Sequence, residues 1–276
     1  MKQVRAFRRG LRQFGRLGWI VVSAWLDYFF RVRGRRKSPG RLARAQWLQR
    51  WSARALADLD IPVERHGTPP ATGVLVCNHL SYIDILVLAS AQPVIFVAKH
   101  EIRYWPVFGR LARCAGTLFV RRDRKSDVAK FDDAFAAVVG EGVVLGLFPE
   151  GTSSNGRQVL PFYSSLFEPA VAHHWPVSAA RIGYTLAGGS AETDVCYWGD
   201  MTFFPHLVRL LCREGIRAKV VYGSAALPAG NRKQLALQLH RQVTDLGQSI
   251  ATPAAVGPDP ERAAPAFAPP ANLMKL

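Results

Sequence analysis

This 276-residue sequence predicts an α/β protein: a mostly parallel central sheet wrapped by helices and preceded by an N-terminal membrane-associated helical pair. Three observations carry that expectation. From residue 74 onward, short apolar β-type runs alternate with helix-patterned stretches, the arrangement that builds a buried, largely parallel sheet. Hydrophobic residues make up 49% of the chain, enough for one large domain with a full core. Positive charge gathers at the N-terminus, around an apolar run, instead of spreading over the fold.

The N-terminal pair comes first. Of the formal net charge of +16, residues 1–50 carry +13, from fourteen Lys/Arg against the single acid Asp27. Inside that segment an apolar run covers residues 17–30, with Arg16 before it and Arg31, Arg33, Arg35, Arg36 and Lys37 after it. Fourteen residues, interrupted by Asp27, fall short of the roughly 20 that a spanning helix needs. Arginines on both sides, with Trp19, Trp25, Tyr28 and Phe29 within, suit a helix lying at the headgroup level. Each Lys or Arg near anionic lipid contributes about 1 kcal/mol of attraction, so this cluster is expected to hold the chain on a membrane surface. A single short span is the alternative. No small-residue cleavage site follows the run, which argues against a secretory leader. Leu42, Leu48, Trp51, Ala55, Leu56 and Leu59 form an apolar stripe among arginines, a second amphipathic helix over residues 41–59. Pro62 and the Gly67-Thr68-Pro69-Pro70 cluster close a basic membrane-binding module over residues 1–62.

Residues 63–250 form the α/β domain. Strands are expected at 74–78, 94–98, 117–121, 143–148, 176–182, 193–198 and 217–223, with helices at 83–91, 104–114, 126–140, 163–173, 202–213 and 231–249. Residues 251–276 are rich in Pro and Ala and read as a flexible tail. The four cysteines, Cys77, Cys114, Cys196 and Cys212, have neither CxxC nor metal-ligand spacing, which fits reduced thiols and no metal.

Chemistry-bearing residues fall at strand ends. Asn78-His79-Leu80-Ser81-Tyr82-Ile83-Asp84 follows the apolar run 74–77, placing a histidine and a carboxylate five positions apart. Ser81 and Asp84 have capping-box spacing, so Ser81 is expected as the N-cap, Asp84 in the first turn, and His79 just outside the helix. The turn then brings the ring against Asp84, which fixes the tautomer and leaves the other nitrogen free to take a proton. Phe148-Pro149-Glu150-Gly151-Thr152 ends the strand at 143–148, where open α/β folds place ligands. There Glu150 is a candidate acceptor of a substrate hydroxyl, Gly151 admits close backbone approach, and Thr152 joins them as a substrate contact. Arg121, ending Gly116-Thr117-Leu118-Phe119-Val120-Arg121, suits bidentate binding of phosphate or carboxylate, or an ordinary salt bridge; Lys99 shares that ambiguity.

Taken in order, residues 78–84, 116–121, 148–153 and 175–180 resemble the four blocks of the glycerolipid acyltransferase family, typified by bacterial 1-acylglycerol-3-phosphate acyltransferases. The resemblance covers roughly residues 70–225. It implies that His79 is the general base, Asp84 its orienting partner, and Arg121 and Glu150 binders of the acceptor lysolipid. It implies no cofactor, only a co-substrate thioester on acyl-carrier protein or CoA, and a place on the cytoplasmic face of a bacterial inner membrane. Members acting on lysophosphatidate commonly carry arginine directly after E-G-T, whereas Ser153 stands here, so another lyso-lipid such as lyso-ornithine lipid is the alternative acceptor. A nucleic-acid-binding protein would instead carry its charge along a groove of the folded domain, so no nucleic acid is expected. A non-catalytic membrane scaffold would not need His79, Asp84 and Glu150 together. Ser81 as a nucleophile lacks the G-x-S-x-G elbow.

Overall fold

The computed structural model describes residues 2–34, 39–121 and 128–250; the tail expected from residue 251 lies outside the described residues. Seven strands form one sheet: β1 (Val63–His66), β2 (Val74–Cys77), β3 (Val94–Lys99), β4 (Leu118–Val120), β5 (Val144–Leu147), β6 (Val177–Leu186) and β7 (Ile216–Tyr222). Their order is β1-β7-β6-β2-β5-β3-β4, and every neighbouring pair is parallel except β6 with β7. β2 and β5 are buried along their whole length, which is why they read as unbroken apolar runs.

Side chains alternate between the two faces. Leu75 and Cys77 enter a core shared with Leu56 of α2 (Arg41–Asp58), Val87 and Leu88 of α3 (Ile83–Ala89), and Leu207 and Leu211 of α8 (Phe203–Leu211). Val74 and Val76 enter the opposite core with Phe135 and Val138 of α5 (Val128–Gly140) and Leu235 and Leu239 of α9 (Arg232–Leu246). Three shorter helices complete the set: α4 (Phe108–Cys114), α6 (Glu168–Ala172) and α7 (Ala191–Asp194).

Two expectations need correction. The apolar stretch expected as a strand at 193–198 is instead the end of α7 and irregular chain, with Val195 and Cys196 buried. A short apolar run looks the same whether a strand or a packed loop buries it. Conversely β1 gave no signal, because Val-Glu-Arg-His is a mostly exposed edge strand.

The N-terminal helix is longer than its apolar run. α1 spans Lys2–Asp27 and continues as a π-helical turn, Tyr28–Arg33. Its inward side mixes the buried Gln13, Ile20 and Ala24 with polar contacts: Gln13 donates to Asp60 at 3.0 Å, Arg9 and Arg16 lie 3.5 and 3.6 Å from the same carboxylate, and Arg16 donates to the Asp58 carbonyl. Val4, Phe7, Leu11, Phe14, Val22, Trp25 and Phe29, spaced by three or four residues apart from a step across Gly18, are exposed. Among the described residues, no helix is long and apolar enough to cross a membrane. α2, in contrast, is built into the domain, with Trp47 buried and donating to the Ala24 carbonyl of α1.

Gly146 in β5 shapes what lies above the sheet. A Cβ there would stand 2.7 Å from the Phe96 ring, and that ring stacks on Phe148 with centroids 5.6 Å apart. Gly146→Ala is therefore expected to overpack the sheet, costing about 1–3 kcal/mol and lowering the thermal midpoint by several degrees. A melt that matches the unaltered protein would show that Phe96 yields freely.

Candidate active site

The parallel strands end along one edge, and Cys77, Leu147, Lys99 and Val120 are the last strand residues there. Just beyond Cys77, the Asn78 side chain imitates a peptide group. Its Nδ2 donates to the Ile182 carbonyl at 3.1 Å, and its Oδ1 accepts from the Ile182 N–H at 2.8 Å. The ladder between β2 and β6 thus continues one step after the backbone of β2 turns away. This fixes where His79 leaves the sheet.

His79 and Asp84 meet as their spacing implied, though by a different turn. Ser81 does not cap α3 with its hydroxyl, which is buried without a protein partner among the described residues. The Asp84 carboxylate reaches back instead: Oδ2 accepts from Leu80 N–H at 2.6 Å and Ser81 N–H at 2.9 Å. Both donors precede the helix, and the turn is closed by Asp84 N–H donating to the Ser81 carbonyl at 3.0 Å. Oδ2 also lies 2.8 Å from His79 Nδ1. An oxygen that accepts two N–H groups must accept the third, so Nδ1 carries the proton and Nε2 is the basic nitrogen. Asp84 Oδ1 accepts from the Tyr184 hydroxyl at 2.5 Å. Asp84 is completely buried, while 21% of the His79 side chain is accessible. The imidazole lies flat against Phe148, centroids 4.2 Å apart and 19° between planes.

Glu150 departs from its expected place as an acceptor-binding group. It is buried, with Oε1 accepting the His79 N–H at 2.7 Å and Oε2 the Leu160 N–H at 2.8 Å. Both oxygens are thus occupied by backbone, and the carboxylate ties the histidine turn to the loop after β5. Burial pushes its carboxyl up to about 7, against the pull of the two N–H donors and the charges of His79 and Arg181. Gly151 adopts φ 73°, a left-handed turn conformation, and its N–H donates to the Phe148 carbonyl. Ser154 N–H returns to the His79 carbonyl at 2.9 Å. Thr152 is exposed at the tip, and Ser153 donates its hydroxyl to the Tyr197 carbonyl.

Lys99 and Arg121 stand at the same edge, on β3 and after β4, with β5 between β3 and the catalytic strand. Strand spacing puts the backbone after β4 roughly 14 Å from that of β2. Arg121 donates from Nη2 to His100 Nε2 at 3.0 Å. Arg157, the next cation after Ser153, is paired with Glu192 at 3.1 Å. The structure therefore brings His79, Asp84, Glu150 and Gly151 into one unit and holds Lys99 and Arg121 apart from it. Three participants escaped sequence reasoning. Asn78 and Phe148 lay inside quoted motifs, but their tasks depend on partners far along the chain. Tyr184, 100 positions from Asp84, carried no local signal.

A buried carboxylate aligning an accessible imidazole at the carboxyl edge of a parallel sheet is an arrangement able to take up a proton at the free ring nitrogen. Comparison with known proteins names the chemistry. Residues 62–183 match the model of the Acyltransferase family. Lyso-ornithine lipid O-acyltransferase of Rhizobium meliloti is 31% identical over 220 residues, 74% of this chain and 70% of that protein. Its namesake in Pseudomonas aeruginosa is 33% identical over 213 residues, 76% and 81% of the two chains. The 1-acyl-sn-glycerol-3-phosphate acyltransferase of Neisseria gonorrhoeae is 32% identical over 187 residues, 67% and 73%. The crystal structure of the LPA acyltransferase PlsC of Thermotoga maritima superposes with a TM-score of 0.67 at 21% identity, covering 92% of this chain and all of that one, which shows the shared fold. The chain belongs to this acyltransferase family and is an enzyme of it.

Glu150 supplies a pH test. The fold holds its proton more tightly than the unfolded chain, whose ordinary value is 4.5. Its contribution, at most about 3 kcal/mol, is therefore complete below pH 4.5 and is lost as the pH rises through about 7. Glu150→Gln, which cannot ionise, is expected to flatten the decline of the thermal midpoint between about pH 5 and 8. Equal slopes in the two proteins would refute this account of Glu150.

Proposed function

We propose that the enzyme moves a fatty acyl group from a thioester, on CoA or acyl-carrier protein, to the free hydroxyl of a lysolipid held at a membrane surface, with His79 as general base. The observation that carries this is the Asp84–His79 pair, with Nδ1 engaged and Nε2 available on an accessible ring. The acceptor hydroxyl gives its proton to Nε2 as its oxygen bonds to the thioester carbonyl carbon. The C–S bond then breaks, and the proton passes from the imidazolium to the leaving thiolate. Base catalysis of this kind contributes about 10²–10⁴-fold. Glu150 and Asn78 act by positioning the turn, and no covalent acyl-enzyme is needed.

Contact with the bilayer falls to α1. Its exposed stripe from Val4 to Phe29 lies opposite Arg9 and Arg16, which face Asp60, and opposite the buried Ile20 and Ala24, so the helix carries a second apolar surface that its docking does not use. Such a helix lies in the interface with its apolar side in lipid, while Arg31 and Arg33 at its end meet anionic headgroups. Phe14 packs edge-on against Phe204 of α8 at 6.5 Å, and the adjacent Phe203 touches Tyr82 at 5.0 Å. Two successive residues at the start of α8 thus make ring contacts in two directions, Phe204 with the lipid-facing helix and Phe203 with the His79 turn, on the side from which a lysolipid would arrive. The cytoplasmic leaflet is the surface we assign, because the thioester donors are made there.

1-Acylglycerol-3-phosphate is the acceptor we assign first, with Arg121 and Lys99 as the cations at the strand edge. Lyso-ornithine lipid is the second reading, favoured by Ser153. Its hydroxyl is turned to the Tyr197 carbonyl, and Arg157 is occupied by Glu192, so neither supplies a free cation directly after Glu-Gly-Thr.

Two measurements test these assignments. Purified protein in detergent, given labelled thioesters and a panel of lysolipids, should yield diacyl product; His79→Ala should lose at least 100-fold in turnover while melting and floating with liposomes normally. Retained activity in that variant would end the general-base assignment. Ser153→Arg should raise the preference for the phosphate-bearing acceptor several-fold over lyso-ornithine lipid; an unchanged ratio would remove position 153 from acceptor choice.

A further inference from the structure

β6 is the longest strand, and it outruns its parallel neighbour. Cys77, the last residue of β2, pairs with Ala180, yet β6 continues to Leu186. Beyond the Asn78 side chain at Ile182, the strand that pairs with the overhang among the described residues is β7, in an antiparallel register running from Ala180↔Tyr222 to Leu186↔Ile216. Tyr184 lies on that overhang, paired with Ala218 and four residues past Ala180, about 13 Å further along. It follows Ala180 and Ile182 on the same face, the face on which α3 packs. Its hydroxyl thereby reaches Asp84 Oδ1 at 2.5 Å, the oxygen that His79 does not use.

We propose that Tyr184 is a positioning residue of the acyl-transfer reaction, acting through Asp84 to set the orientation and basicity of His79. This rests on the assignment of His79 as general base. Asp84 accepts four hydrogen bonds, three at Oδ2 and one at Oδ1, and Tyr184 supplies the only one from outside residues 79–81 among the described residues. The three local donors fix where Oδ2 sits. Tyr184 fixes the rotation of the carboxylate about that point, and with it the line along which His79 Nδ1–H is held. It also draws off part of the carboxylate charge that would otherwise fall on the imidazole. The other titratable groups facing Asp84 are Cys77 on β2 and Cys196 after α7, and burial raises both thiols, Cys196 to about 12, so each is neutral there. Burial and the Asp84 charge likewise hold the Tyr184 phenol protonated as a donor.

The test uses a matched pair. Tyr184→Phe removes one hydroxyl and keeps the ring. Tyr222→Phe removes a hydroxyl one strand away that is buried without a protein partner among the described residues. Tyr184→Phe is expected to lower kcat about 10–100-fold with KM for thioester and lysolipid within about twofold. Without its donor, Asp84 leans more heavily on the His79 proton, so the acid limb of the kcat/KM profile should move to higher pH. Tyr222→Phe should keep kcat and profile. The proposal is overturned if Tyr184→Phe retains kcat and its acid limb, or if both variants lose activity and thermal midpoint in parallel. Turnover surviving in His79→Ala would instead remove the base itself, an outcome distinguishable because it does not involve Tyr184.

Discussion

A carboxylate with no access to water is the constraint around which this structure is organised. Asp84 is wholly buried at the start of α3, and a charge in that position is tolerated only where its acceptor sites are filled. The fold fills them from three sources: the N–H groups of Leu80 and Ser81, the ring of His79, and the hydroxyl of Tyr184. Each donor implies a piece of architecture. The backbone donors require the tight turn between β2 and α3, and the imidazole must be folded back over that turn. The phenol requires a strand long enough to pass the end of β2. The geometry needed to keep one charge out of water is the geometry that engages Nδ1 and leaves Nε2 for the proton transfer proposed above.

The same economy governs the loop after β5. Glu150 is the second buried carboxylate, and it uses its two oxygens on backbone N–H groups of two segments, at His79 and Leu160. Phe148, two residues earlier, covers the flat of the imidazole, and Gly146, two residues before that, leaves room for Phe96 behind it. Alternate residues of β5 and the segment that leaves it thus form a layered support: open backbone, ring, then carboxylate. The His79 turn is consequently held from the β6 side by Asn78 and from the β5 side by Glu150.

How much of this could be read from the residues alone follows from the range of each interaction. The α/β alternation was legible because buried strands and amphipathic helices imprint periodicities on contiguous residues, and β2, β3, β5 and β7 appear within a residue or two of their expected places. His79 and Asp84 were legible because their contact spans five positions. The Ser81 spacing permits a hydroxyl cap, and only the three-dimensional turn shows that the carboxylate of Asp84 folds back on Leu80 and Ser81 N–H instead. The strand-end position of Glu150 reads as a substrate contact, and its two backbone partners, at His79 and Leu160, leave no trace at that range of sequence. Tyr184 was illegible for a different reason: its task depends on how far β6 runs past β2, a difference in strand length that no local pattern records.

His79 and Asp84 therefore divide the work by depth. Asp84 can be rigid because it is shut away, and rigidity is what an orienting group requires. The His79 ring is partly open, as the proposed proton transfer from a lipid hydroxyl requires, and its orientation is set by the stacked Phe148 and the carboxylate behind it. α1 extends that division outward. Arg9 and Arg16 reach Asp60 and an apolar stripe faces out, so the helix is tied to the body of the enzyme by ion pairs while that stripe stays open. In the function proposed above, the base is held from the protein side and approached from the membrane side, the arrangement that acylating a hydroxyl on an insoluble acceptor demands.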